Sequence, residues 1–348
     1  MKNSSTMHSQ LFPRGKTSLG VRDHSPLRFV RTLITRSGVR IVAAICVCAA
    51  IASMFMIQGM SQTFAAQAQA HTNWSFYMNS TSTSTAYNHG CVQGGADATY
   101  HDNSVVVLDF GGQLGNGSGS LMINGVSITN SQIEAVTENF SKGYWTCARN
   151  KGDTTTILDL GIGTNNSYQD VSQAGGAAWI KVVSTVQNYN KAKGYYAQVR
   201  MYAANDMEPG FGSASATINW VHGVTSISGL DYLNYGSADG CPQTSSSNGS
   251  CNNGWNQYDV WYVSNGPAQG HPIPEIYYPA QASQWAMLSL YGAQHQGRRM
   301  NIWGPLDEHD LASSTDTAAQ AWSQLWTDVN SHSATKQSFS YSLEIHNE

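Results

Sequence analysis

Asp206-Met207-Glu208 sets two carboxyls at positions i and i+2, immediately before Pro209-Gly210. In extended chain such positions face the same side, with Cα atoms roughly 6.5–7 Å apart, so both acids would enter one pocket. Cleavage of a glycosidic bond asks for such a pair. One carboxyl, protonated, gives a proton to the leaving oxygen; the other, ionised, stabilises or attacks the anomeric carbon or activates water. Like charges at close range push the two pKa values apart and supply both forms at one pH. Proline and glycine end the extended run, which puts the pair at a rim. Two acids at a strand end can also do no more than cap the next helix or face solvent.

Around this pair the sequence offers weaker candidates. Asp109 either supports the acids from a neighbouring strand or caps a turn, and Asn205 adjoins them directly. Glu275 lies between prolines and either points inward or pairs with Arg298 or Arg299. Asp159 sits mid-strand, and Asp307, Glu308 and His309 follow the last strand, where such a run also suits solvated surface. Tyr235, Trp261, Tyr277 and Trp303 present rings that can stack on sugar faces or pack in a core. Other chemistries find no support. No G-x-S-x-G elbow or P-loop occurs, and Gly161-Ile162-Gly163 lacks the third glycine of a dinucleotide turn. No CxxC or His-x-x-x-His spacing accompanies the cysteines, so neither a metal nor a cofactor is expected.

Positioning these residues takes alternating strands and helices. Eight apolar runs read as strands: residues 104–110 (SVVVLDF), 155–162, 196–202, 229–235, 259–264 (DVWYVS), 274–278 (PEIYY), 284–291 (QWAMLSLY) and 299–303. Helices fit residues 131–142, 170–193, 214–224 and 317–330. The order predicts an α/β fold, a (β/α)8 TIM-like barrel with some degenerate helices, with an open α/β sheet as the alternative. A barrel collects its chemistry at the C-terminal ends of its strands, where these acids fall.

Before this body come eight Lys and Arg opposed by Asp23 alone, residues 1–40, then an apolar run over 41–57 and Ala68-Gln69-Ala70. That order predicts a basic cytoplasmic lead, then a signal peptide or membrane anchor over 41–70, with cleavage before His71 preferred. Residues 71–100 read as a polar lead-in and 101–348 as the barrel domain. The exported part then holds 10 Lys and Arg against 21 Asp and Glu, a formal charge of −11 that repels nucleic acid and polyanionic glycans alike. Its four cysteines suggest two bridges in an oxidising compartment; Cys241 with Cys251 and Cys91 with Cys147 is the preferred pairing. Localisation is expected to be secreted, or anchored at the outer membrane face through residues 41–57.

With Asp109 on an early strand and Asp206-Met207-Glu208 closing a later one, the chain resembles glycoside-hydrolase-like TIM barrels of secreted bacterial proteins and is distantly similar to family 25 lysozymes. The resemblance covers most of residues 100–310. It implies Glu208 as acid, Asp206 as its ionised partner and a polysaccharide or other glycan as substrate. Counted from the runs above, the acid pair follows the third strand, where the family has it after the fourth. No Asp closes the eighth strand unless Asp307 does so. The expected function is an exported glycoside hydrolase acting on a cell-wall or environmental polysaccharide. The alternative is an inactive barrel serving as a carbohydrate-binding or surface interaction module.

Overall fold

The computed structural model describes residues 67–167, 169–308 and 314–348, and its frame is set by strands apolar on both faces. In β2 (Ser104–Gln113), Val106, Leu108 and Phe110 pack outward against helices, while Val105 and Val107 join a second, inner core with Ala204, Leu233, Ile273, Leu306, Leu343 and Ile345. Burial on both faces is the signature of a parallel sheet covered by crossover helices.

The remaining elements in chain order are β1 (Thr72–Tyr77) and α1 (Thr83–Tyr100) before β2, then a hairpin of β3 (Gly119–Leu121) and β4 (Ser127–Thr129) leading into α2 (Asn130–Asn150). After these come β5 (Leu158–Asn165), α3 (Gln173–Lys193), β6 (Val199–Asp206), α4 (Ala214–Val224) and β7 (Tyr232–Asn234). The last are α5 (Gln257–Asn265), β8 (Gly270–Pro272), α6 (Pro279–His295), β9 (Leu306–Asp307), α7 (Ala318–Asn330) and β10 (Ser342–Asn347). Eight strands pair in parallel in the order β8-β7-β6-β5-β2-β1-β10-β9, a curled sheet with helices outside it. Past the end of β8 an isolated bridge pairs Glu275 with Leu306 of β9 in parallel, with Ile276 N donating to Leu306 O at 2.9 Å and Leu306 N to Pro274 O at 2.8 Å.

Two expected strands are helices. Residues 259–264 lie in α5, started by a capping box between Asn256 and Asp259, and residues 284–291 lie in α6, which begins on Pro279 and buries every residue from Gln284 to Gly292. A continuous apolar run does not separate a buried strand from a buried helix. Residues 299–303 form no strand; β9 begins at Leu306. Residues 274–278 hold only an isolated bridge at Glu275, and the count of eight is restored by β1, β8, β9 and β10. The segment 71–100, read as a lead-in, therefore carries β1 and α1 of the domain itself. β1 escaped the pattern because its inward positions are polar: Asn73 Oδ1 and Ser75 Oγ accept from Val105 N and Val107 N, extending the short β1–β2 ladder with side chains.

The disulfides are Cys91–Cys147, which pins α1 to α2, and Cys241–Cys251, which closes a loop between β7 and α5. At the first, Gly90 and Gly143 let the helices touch backbone to backbone; a Cβ on Gly143 would fall 2.0 Å from Tyr87 O. Residues 1–40 and the apolar run 41–57 lie outside the described residues. Among the described residues no helix is long and apolar enough to cross a membrane. Gln67, before the expected cleavage position, is seated on β10's approach: its Nε2 donates to Phe339 O at 2.6 Å and its Oε1 accepts from Phe339 N at 3.0 Å.

Candidate functional site

Strand alternation decides what faces what. In β6, Tyr202 and Ala204 point into the inner core, so Asp206 and then Glu208 point inward as well, while Met207 joins the outer core. In β2 the inward series Val105, Val107 continues to Asp109, and beyond β8 the series Ile273, Glu275, Tyr277 does the same. Tyr77 ends β1 opposite Asp109. The C-terminal ends of three of these stretches thus bring their acids to one place and the fourth brings Tyr77, beside a cavity of about 370 Å³ lined by Tyr77, Asp109, Asn165, Asp206, Phe211 and Glu308 among others.

Asp206, Glu208 and Glu275 form one interacting group, with Glu208 between the other two. Glu208 is hydrogen-bonded to both Glu275 and Asp206. Burial raises all three, and neighbouring charge adds to it. Glu208, the half-buried member, is pushed up to about 7 by burial and by the charges of Asp239 and Glu308, against the lowering effect of its hydrogen bonds. Asp206 lies well above its ordinary range through burial, then through Glu208 and Asp109. Glu275 does likewise, through burial, Glu208 and Asp206. Asp109 rises to about 6 on burial, held back by Gly111 N–H, which donates to its Oδ1 at 2.6 Å, and by Tyr235. Carboxyls in contact share protons, so near neutral pH the cluster holds both a proton to give and a negative charge.

Room for this arrangement comes from Gly163, whose Cβ would lie 2.7 Å from the Tyr235 hydroxyl and 3.0 Å from Asp109 Cα. The missing side chain admits the Tyr235 ring, whose hydroxyl donates to Thr164 O at 3.0 Å. The Gly-Ile-Gly run thus serves inner packing.

Of the expected binding residues, Glu275 and Tyr235 join the cluster. Tyr277 packs in the same inner core, buried, as wall rather than open platform. Asn205 faces outward with Ala203 and Met207, away from Asp206, and neither of its side-chain polar atoms has a hydrogen-bond partner. Trp261 belongs to α5, not to a strand; its ring lies in the outer layer against α6 and under Arg298. Trp303 stacks on His271 at 4.3 Å and meets Tyr202 at 5.5 Å, toward the N-terminal ends of the strands and the opposite end from the acids. Asp159 lies at that end too, accepting from the Tyr341 hydroxyl at 3.0 Å. Asp307 is buried and accepts from Ser314 Oγ at 2.6 Å; Glu308 reaches the cavity, and His309 lies outside the described residues.

Residues that sequence reasoning passed over are Tyr77, Phe211, Ile123 and Asp239. Phe211 and Ile123 are exposed at the mouth, the latter in the β3–β4 hairpin. Asp239 precedes Gly240-Cys241, a spelling that reads only as a turn. Among the described residues no group of three or more His, Cys, Asp or Glu has metal-holding geometry. No family model matches the chain, and neither a curated protein nor a solved structure shows significant similarity to it.

Proposed function

We propose that this chain is an exported glycoside hydrolase built on a (β/α)8 barrel, with Glu208 the acid and Asp206 its carboxyl partner. The observation that carries the reading is the convergence of Asp206, Glu208, Glu275 and Asp109 at the C-terminal strand ends beside an open cavity. The Glu275–Leu306 bridge supports a barrel, since it links the stretch just beyond β8 to β9 at the other end of the strand path. Strand order supports the likeness to family 25 lysozymes. With β1 included, the parallel strands run β1, β2, β5, β6, so the acid pair closes the fourth. Two disulfides suit an oxidising compartment, and the basic lead with its apolar run supplies the export route.

A proton affinity near neutrality suits Glu208 for donating to a leaving oxygen. Burial and neighbouring charge raise Asp206 and Glu275 as well, and substrate entering from the Phe211 side must meet Glu208 and Asp206 at the roughly 5–9.5 Å separations that glycosidases use. Positive charge developing at the anomeric carbon then favours ionised Asp206. Asp109, fixed by Gly111 and Tyr235, adds negative charge beneath. The test is reducing-end release from a panel of cell-wall and plant glycans by wild type, Glu208→Gln and Asp206→Asn. Turnover should collapse in Glu208→Gln while binding survives. Unchanged turnover removes Glu208 from the mechanism, and binding without turnover in wild type identifies a binding module.

A further inference from the structure

Among the described residues the site has no counter-charge. Among the described residues lining its cavity there is no Lys, Arg or His, yet Asp109, Asp206 and Glu308 line it and Glu208, Glu275 and Asp239 act on them. The wider face repeats the pattern. From residue 67 onward the ten Lys and Arg are residues 142, 149, 151, 181, 191, 193, 200, 298, 299 and 336. Every one lies on or just after a helix, at the start of β6, or on the approach to β10. None falls in a segment leaving the C-terminal end of a parallel strand, whereas the described residues of those segments include Asp170, Glu208, Asp239, Glu275, Glu308 and Asp316. A concave site walled by one sign of charge focuses its field on the opening and concentrates ligands of the opposite sign. Within it, Asp206 Oδ1 is buried without a hydrogen-bond donor in a residue only 9% exposed, and Asp206 lines the cavity.

We propose that the ligand of this site is a cationic glycan, an amino-sugar chain whose amines are free rather than acetylated, with an ammonium group seated against Asp206 and Glu308. The inference rests on the reading of the cleft as a glycan site and adds the ligand's charge. An ammonium supplies the N–H donor that Asp206 Oδ1 lacks and offsets the repulsion among the acids. Acetylation removes that charge, and a uronic acid meets like charge throughout the cleft.

The probes are a glucosamine hexamer, the same hexamer after N-acetylation, and a galacturonate hexamer, titrated calorimetrically into the intact exported protein carrying Glu208→Gln so that none is turned over. The amine form should bind at least tenfold more tightly than the acetylated form and weaken with salt, and the galacturonate should not bind. Glu308→Gln should lower affinity for the amine form several-fold and leave that for the acetylated form unchanged. Equal or tighter binding of the acetylated or acidic hexamer, an equal loss for both forms in Glu308→Gln, or no binding by any of the three overturns the proposal. Reducing-end release by wild type separates the two readings. Preference for the amine form without hydrolysis removes the hydrolase and leaves the ligand class standing. Hydrolysis confined to neutral or acidic glycans does the reverse.

Discussion

Replacing Glu208 by Gln should stabilise the protein above neutral pH in the same stroke that abolishes its turnover. Burial, with the charges of Asp239 and Glu308, raises the Glu208 carboxyl from an ordinary 4.5 to about 7 in the folded state. Between those values the folded state binds more protons than the unfolded one, so stability falls as pH rises through that window, and the penalty is complete above it. At 1.36 kcal/mol per pKa unit the displacement corresponds to roughly 3 kcal/mol. Glutamine has nearly the same shape, cannot ionise, and keeps a donor for its neighbours. Urea denaturation should therefore show Glu208→Gln level with wild type at pH 4 and more stable by about 2–3 kcal/mol at pH 8. Reducing-end release should fall by about 10²–10⁴-fold, the usual worth of a general acid. A stability difference independent of pH would show that Glu208 is not held against ionisation, and the account of the cluster would fall with it.

Gly163→Ala places a methyl against the Tyr235 hydroxyl and Asp109, and should cost about 1–3 kcal/mol by thermal denaturation, partly relieved in combination with Tyr235→Phe. A neutral result would mean that Tyr235 is free to move aside. Removing Cys241 and Cys251 together should cost about 2–3 kcal/mol on the chain-entropy model. Because the bridge holds the loop that carries Asp239, the Glu208 limb of the pH–rate profile should also move to lower pH; an unchanged profile would detach that loop from the site. The paired bonds of Gln67 with Phe339 give a chain beginning at residue 67 about 1–3 kcal/mol over one beginning at His71, read as a melting point higher by several degrees. Equal melting points would make Gln67 dispensable, and intact-mass analysis of the exported protein tells which start is used.

Residue type and local spacing were enough to single out the acids at 206 and 208 as candidates, the local pairing of Cys241 with Cys251, and helices α2, α3, α4 and α7, while leaving Glu275 open between an inward position and a pairing with Arg298 or Arg299. These follow from short-range rules: side-chain alternation in extended chain, helical periodicity between caps, and loop closure over few residues. The sequence also records, without any structure, that the segments between 207 and 256 hold acids and no Lys or Arg. Other features depend on partners distant in the chain. Whether DVWYVS and QWAMLSLY are strands or helices turned on what buries them, because both are mainly apolar without a decisive period; β1 was hidden because Asn73 Oδ1 and Ser75 Oγ accept from β2, some thirty residues away. The contact of Glu208 with Glu275 joins residues 67 positions apart, and only that contact, with the burial around it, sets where their protons reside. Trp261 and Trp303 make the same point in reverse, since an aromatic ring carries no mark of which end or which layer of the fold it will occupy. A carboxyl's identity is written locally, but its proton affinity depends on which charges and how much water surround it, and tertiary packing alone fixes both.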